Sequence, residues 1–72
     1  MENKELTKLG QALKKARLKK GVSQEKLAEI VGVDRTYISL LERGKRNPSA
    51  LSIIAISKAL QSNLFSYLDK EV

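Results

Sequence analysis

The segment 23–43 contains two short helical patterns separated by Gly32. Apolar residues recur at spacings of three and four on both sides of this glycine, the period of one helix face: Leu27, Ala28 and Val31, then Ile38 and Leu41. Glycine supplies the freedom that a tight backbone corner requires. The pattern therefore predicts two short helices joined by a tight turn and packed closely together at the small Ala28.

Both predicted helices begin after a residue that can cap them. The Ser23 hydroxyl and the Asp34 carboxylate can each accept an otherwise unpaired amide hydrogen about one turn later. After the turn, the side chains that point away from the apolar stripe are polar: Arg35, Thr36, Tyr37 and Ser39. The second helix is therefore expected to expose hydrogen-bond donors and acceptors suited to recognising another molecule.

Length and composition limit the fold and the function. A chain of 72 residues makes one domain, and the lack of cysteine and histidine excludes disulfides and a Cys/His zinc site. The net charge of +6 favours a polyanionic partner through neutralisation of phosphates. Because no His, Cys or carboxylate pair lies on a recognisable site scaffold, we expect a protein that is not an enzyme and needs no metal or cofactor.

No apolar run approaches the length of a membrane span, and the N-terminus is charged rather than a signal peptide. We therefore expect a cytoplasmic protein with no membrane partner. Residues 1–5 are polar and contain nothing that requires a fixed position.

Further helices are predicted on both sides of segment 23–43. Before it, Leu6, Leu9, Leu13 and Ala16 repeat with helical period to about Lys20, with Gly21 as the stop. After it, Ser49 can cap a helix over 50–60, and Asn63 can cap a short fifth helix with Leu64 and Leu68 facing inward. In the helix at 50–60, the residues that suit the core are Ile53, Ile56 and Leu60.

The helix over 50–60 has more apolar residues than one core-facing stripe requires. The excess residues, together with two aromatics that follow, are Leu51, Ile54, Ala55, Phe65 and Tyr67. We interpret them as a self-complementary patch for a twofold homodimer, with a dimerisation region at about 50–70. Two alternatives stay open: the patch closes the protein's own core, or it binds a different protein.

The segment 23–43 resembles the helix-turn-helix of the phage repressor and Cro type. The characteristic positions of that motif are occupied by Gln24, Leu27, Ala28, Gly32, Val33, Ile38, Glu42 and Gly44. The resemblance extends from about Gly10 to Leu68, and D-R-T-Y-I-S followed by E-R and R-N is most similar to controller proteins of restriction-modification systems. It implies an all-α, five-helix, lambda-repressor-like DNA-binding domain spanning residues 1–72, with the helix-turn-helix at helices 2 and 3.

The resemblance also implies that Arg17 pairs with Glu42 and ties helix 1 to helix 3. An α-helix fits the major groove of DNA, so we expect the outward residues of helix 3 to contact bases: Arg35, Thr36, Tyr37 and Ser39. Phosphate contacts are expected from Gln24, by the resemblance, and from the basic loop that follows helix 3: Arg43, Lys45, Arg46 and Asn47. Tyr37 has alternatives at a deformable base step, at a phosphate or at a core edge.

These expectations describe a sequence-specific transcriptional regulator that binds double-stranded DNA as a homodimer. Its two recognition helices would enter successive major grooves of a pseudo-palindromic operator, about 34 Å apart. As a controller protein it would regulate its own operon and the endonuclease gene, as activator or repressor according to operator occupancy. RNA polymerase is a further candidate partner. The alternatives are a phage-type repressor and an antitoxin-like protein-interaction module.

Overall fold

The computed structural model describes residues 3–64, which form four α-helices. They are α1 (Lys4–Lys20), α2 (Gln24–Val31), α3 (Arg35–Glu42) and α4 (Ala50–Leu60). No strand occurs within this range, in agreement with the predicted all-helical class. Four helices stand here where five were expected. Asn63 and Leu64 lie outside any helix, and the rest of the predicted fifth helix, from Phe65 onward, lies outside the described residues.

Every helix of the described region starts at a side-chain cap. The predicted caps of α2, α3 and α4 are confirmed, since backbone N–H groups donate to the side-chain oxygens of Ser23, Asp34 and Ser49. Asn3 caps α1 by accepting from the N–H groups of Glu5 at 2.9 Å and Leu6 at 3.2 Å. The expectation that residues 1–5 need no fixed position is therefore wrong for Asn3, whose side chain satisfies two of the unpaired donors of α1.

The turn between α2 and α3 is built around Gly32. This residue has φ 78° and ψ 34°, a left-handed conformation that costs a residue with a Cβ about 1–2 kcal/mol. Its N–H and that of Val33 both donate to the Ala28 carbonyl oxygen at 2.9 Å. Only Val33 and the Asp34 cap then separate Gly32 from α3, so the chain reverses direction within a few residues.

All four helices contribute to one hydrophobic core. Its buried apolar members are Leu9, Ala12, Leu13, Leu27, Ala28, Ile38, Leu41, Ile53, Ile56, Leu60 and Leu64. The predicted inward stripes of helices 2, 3 and 4 lie in this core, although Val31 is only partly buried. α3 packs against both α1 and α2, and α4 packs against α2 and α1. The core therefore supports α3 from one side and leaves its other side open.

α1 is the longest helix of the described region, at 17 residues, and its exposed positions are rich in lysine. Between residues 3 and 64, no helix combines the length and the apolar character that crossing a bilayer requires.

Candidate nucleic-acid interface

α3 is held against α1 by a close approach of the two backbones. Gly10 is buried in the middle of α1, and a Cβ atom placed on it would collide with the Leu41 carbonyl oxygen and lie 2.6 Å from the Glu42 carbonyl oxygen. Only glycine permits this approach, because both obstacles are backbone atoms. This role of Gly10 was not predicted, and the available signal is a lone glycine inside a helical pattern. The approach fixes the C-terminal end of α3.

A buried ion pair joins the same two helices. Arg17 Nε donates to Glu42 Oε2 at 2.6 Å, and Arg17 Nη2 donates to Glu42 Oε1 at 3.2 Å. The side chains are only 9% and 3% exposed, and Arg17 Nη1 also donates to the Val22 carbonyl oxygen at 2.8 Å. Two parallel bonds between a guanidinium and a carboxylate fix orientation as well as distance. Arg17 thus connects α1 to α3 and to the loop that precedes α2.

Gln24, expected at a phosphate, lies in this polar network. Its Nε2 donates to Glu42 Oε1 at 3.0 Å, and its Oε1 accepts from Arg35 Nη1 at 3.2 Å. Neither bond was predicted, because both depend on how α2 packs against α3. The amide nitrogen carries a second hydrogen, so a phosphate contact remains chemically open to Gln24.

The outer side of α3 is polar and accessible. Arg35 and Thr36 are exposed and Ser39 is partly buried, whereas Ile38 and Leu41 on the opposite side are 0% and 3% exposed. α3 has eight residues, and an α-helix with its side chains is about 10–12 Å in diameter. The major groove of B-form DNA is about 12 Å wide and admits an α-helix. The shape and the polarity of this edge therefore suit that groove.

Tyr37 lies at the border between the exposed edge and the core. Its ring is partly buried and packs against the core cluster, and its hydroxyl oxygen accepts from the Ser49 N–H at 3.4 Å. The Arg46 guanidinium carbon lies 5.3 Å from the ring centroid, within the range of a cation–π contact. Tyr37 was given three alternatives, a base step, a phosphate or a core edge. In the chain without DNA it packs at the core edge. Leu40, also on α3, is partly buried.

The loop after α3 places positive charge beside the exposed edge. Its residues assigned to phosphates are all exposed: Arg43, Lys45, Arg46 and Asn47. Arg43 Nε donates to the Ser39 carbonyl oxygen at 3.4 Å, which holds that side chain along α3. Arg46 and Asn47 line a shallow cleft together with Tyr37 and Ser52. The predicted phosphate contacts thus fall into two groups, the loop at the C-terminal end of α3 and Gln24, whose amide bonds to both the first and the last residue of α3.

The described residues contain no group of three or more His, Cys, Asp or Glu side chains that could hold a metal ion. The exposed residues of this surface offer hydrogen bonds and positive charge, with a guanidinium at the start of the helix edge and a basic loop at its end. Residues 13–65, more than half of the chain, match the helix-turn-helix family model, and the chain belongs to the helix-turn-helix family.

Within this family, the chain is similar to controller proteins of restriction-modification systems, and that predicted resemblance is confirmed. The control protein C.MunI of Mycoplasma sp is 44% identical over 68 residues, which cover 89% of this chain and 92% of that protein. The crystal structure of the controller protein C.AhdI from Aeromonas hydrophila matches with a TM-score of 0.83 at 40% identity, covering 90% of this chain and 98% of that one.

A further similar structure contains a controller protein bound to DNA. It is a mutant of C.Esp1396I bound to its highest affinity operator site, and it matches with a TM-score of 0.80 at 38% identity. The match covers 96% of this chain and 91% of that chain.

Proposed function

We propose that this protein is a sequence-specific transcriptional regulator that binds double-stranded DNA with α3 in the major groove, as a controller protein of a restriction-modification system. The observation that carries the proposal is the pairing of a firmly supported inner side of α3 with an exposed polar edge. The relative C.Esp1396I has been solved on an operator, which supports the same activity here. The protein would act in the cytoplasm, without catalysis.

Base recognition is assigned to the outer edge of α3. The Arg35 guanidinium can place two donors on guanine O6 and N7, a contact worth about 1–3 kcal/mol of discrimination. Its bond to Gln24 occupies only Nη1, so Nη2 and Nε stay available for the base. The Thr36 hydroxyl and methyl suit a polar base edge or a thymine methyl. Ser39 and Tyr37, at the border of the edge, complete the proposed set of base-contacting residues.

Phosphate contacts are assigned to the basic loop and to Gln24. Arg43, Lys45 and Arg46 bring positive charge, and the amides of Asn47 and Gln24 bring neutral donors. Such contacts fix the register of the protein on the duplex and carry no sequence information. Each phosphate neutralised by a cation adds about −0.9 to the slope of log K against log salt. The loop is therefore expected to make binding strongly dependent on salt.

The proposal includes a twofold homodimer formed through α4. Leu51 is 79% exposed and Ile54 is 40% exposed, and with the partly buried Ala55 they share one helix face. Large apolar side chains side by side on a small domain favour association. Phe65 and Tyr67, assigned to the same interface, lie outside the described residues, as does the proposed fifth helix from Phe65 onward. Each subunit would be a single domain over residues 1–72, and a second copy would pack against region 50–70.

A dimer of this kind would place two α3 helices about 34 Å apart on a pseudo-palindromic operator. Occupancy of that operator would depend steeply on protein concentration, because dimerisation precedes binding. We propose that the genes controlled are its own operon and that of the restriction endonuclease, and that RNA polymerase is the further partner at activated promoters.

The test begins with selection of the preferred duplex from a randomised pool. The wild-type protein and Arg35→Ala are then titrated against that duplex and a scrambled duplex at one salt concentration. We expect the wild type to prefer the selected duplex, and Arg35→Ala to lose much of the preference while keeping the weak general binding. Equal binding of both duplexes by the wild type would favour an antitoxin-like protein-interaction module instead.

A further inference from the structure

A continuous chain of hydrogen bonds connects the buried ion pair to the proposed base-contacting arginine. Arg17 forms its fork with Glu42, Glu42 Oε1 accepts from Gln24 Nε2 at 3.0 Å, and Gln24 Oε1 accepts from Arg35 Nη1 at 3.2 Å. The chain starts at side chains that are less than a tenth exposed and ends at an exposed one. Glu42 therefore lies two hydrogen bonds from the surface assigned to DNA.

The chemistry of its two neighbours determines which way the Gln24 amide faces. The Glu42 carboxylate only accepts hydrogen bonds, and the Arg35 guanidinium only donates them. The amide satisfies both when its NH₂ group faces Glu42 and its oxygen faces Arg35. Rotated by half a turn, the oxygen would meet a carboxylate and the NH₂ group would meet a guanidinium. Because the Arg17 fork fixes Glu42, Glu42 in turn fixes the amide.

We propose that Glu42, acting through Gln24, is a positioning residue for Arg35 and so determines base preference without touching DNA. This inference rests on the proposed function. An arginine side chain has many rotamers. An arginine without a hydrogen-bond partner in the protein can therefore reach neighbouring bases or phosphates as well as the intended guanine. The oxygen of Gln24 restricts the guanidinium to one region beside the start of α3. Losing the restriction should reduce discrimination more than affinity.

Two simpler roles for Gln24 make different predictions. If Gln24 only binds a phosphate, removing its amide weakens binding to every duplex by the same factor. If Gln24 and Glu42 only support the fold, their loss lowers the melting temperature and leaves the base preference of the folded fraction unchanged. Discrimination at the base pair recognised by Arg35, compared with all other base pairs, separates the three possibilities.

The experiment measures Kd for the selected operator and for single base-pair substitutions, with the full chain at a temperature where each variant is folded. Gln24→Met keeps the side-chain volume and removes both amide bonds. Glu42→Gln keeps the shape but can donate or accept towards Gln24, so it no longer fixes the amide. Ile56→Val, in the core of α4, serves as a control that lowers stability without touching the network.

We expect Gln24→Met and Glu42→Gln to reduce discrimination about tenfold at the base pair that Arg35→Ala identifies, the equivalent of about 1.4 kcal/mol, with other positions changed less than about twofold. Combined with Arg35→Ala, Gln24→Met should have no further effect on discrimination there. Ile56→Val should keep the full preference. A uniform loss over all duplexes, or full discrimination in Glu42→Gln, would overturn the inference while leaving the regulator intact. A wild type without any operator preference would overturn the proposed function itself.

Discussion

The two sides of α3 differ in almost every physical property although they belong to the same eight residues. On the inner side, Ile38 and Leu41 lie in the core and Glu42 forms a buried ion pair. The backbone of α3 also lies so close to α1 that only a glycine fits at position 10. The outer side exposes Arg35 and its polar neighbours. The inner side determines where the helix lies, and the outer side determines what it can contact. Substitutions on the two sides should therefore change different measurements.

The largest effect is expected from breaking the inner ion pair. Arg17→Met leaves the Glu42 carboxylate buried without its charge partner, which should lower the free energy of unfolding by about 3–5 kcal/mol. Urea denaturation followed by circular dichroism measures the change. Arg17→Lys, which keeps the positive charge but not the fork, is the matched control and should lose less. A loss below about 1 kcal/mol in Arg17→Met would contradict the importance given to the inner side.

The next effect concerns the contact between α1 and α3. Gly10→Ala should lower the free energy of unfolding by about 1–3 kcal/mol, because its methyl group meets backbone carbonyl oxygens of α3. The sign is informative, since the same change in an ordinary helix interior stabilises by about 0.5–1 kcal/mol. Gln11→Ala, on the exposed side of α1, should change stability by less than about 0.5 kcal/mol. A more stable Gly10→Ala protein would mean that the helices do not approach so closely.

On the outer side, the expected effect is on binding. Arg35→Ala should remove about 1–3 kcal/mol of discrimination at one base pair per half-site and leave the unfolding free energy within about 0.5 kcal/mol of wild type. Electrophoretic mobility shifts with substituted operators measure the first quantity, and thermal denaturation measures the second. Should Arg35→Ala unfold more easily by several kcal/mol, the separation between the two sides would fail.

The smallest effect is expected at Asp34, the N-cap of α3. Asp34→Ala removes the acceptor of the Thr36 N–H, a bond of 3.1 Å, and should cost about 1 kcal/mol of stability. Asp34→Asn keeps an oxygen acceptor and should behave almost as wild type. Equal losses in the two variants would show that the charge of Asp34, rather than its cap, matters at this position.

The local features of α3 and its neighbours could be predicted from the sequence. Caps at Ser23, Asp34 and Ser49 and the inward stripes depend on residues a turn apart, so the pattern itself contains the information. The paired positions 17 and 42 lie far apart along the chain, and their pairing was implied only by family resemblance. The cap at Asn3 was not predicted, because the apolar repeat of this helix begins only at Leu6, three residues later.

The contacts that position the proposed DNA surface were harder to predict because they depend on how the helices pack. Gly10 has no signal beyond its place in a helical pattern, and its significance lies in the backbone of α3. The amide of Gln24 joins Glu42 to Arg35 only because α2 packs against α3. The sequence therefore predicted the outward direction of Arg35 but gave no information about what holds its side chain.

The most direct test of the account is methylation interference at guanine N7, an acceptor that faces the major groove. Operator duplexes methylated at single guanines are bound to wild type and to Arg35→Ala, and bound and free fractions are sequenced. Contact between the outer side of α3 and base edges predicts one guanine per half-site whose methylation blocks the wild type but no longer affects Arg35→Ala. The same interference pattern in both proteins would contradict it.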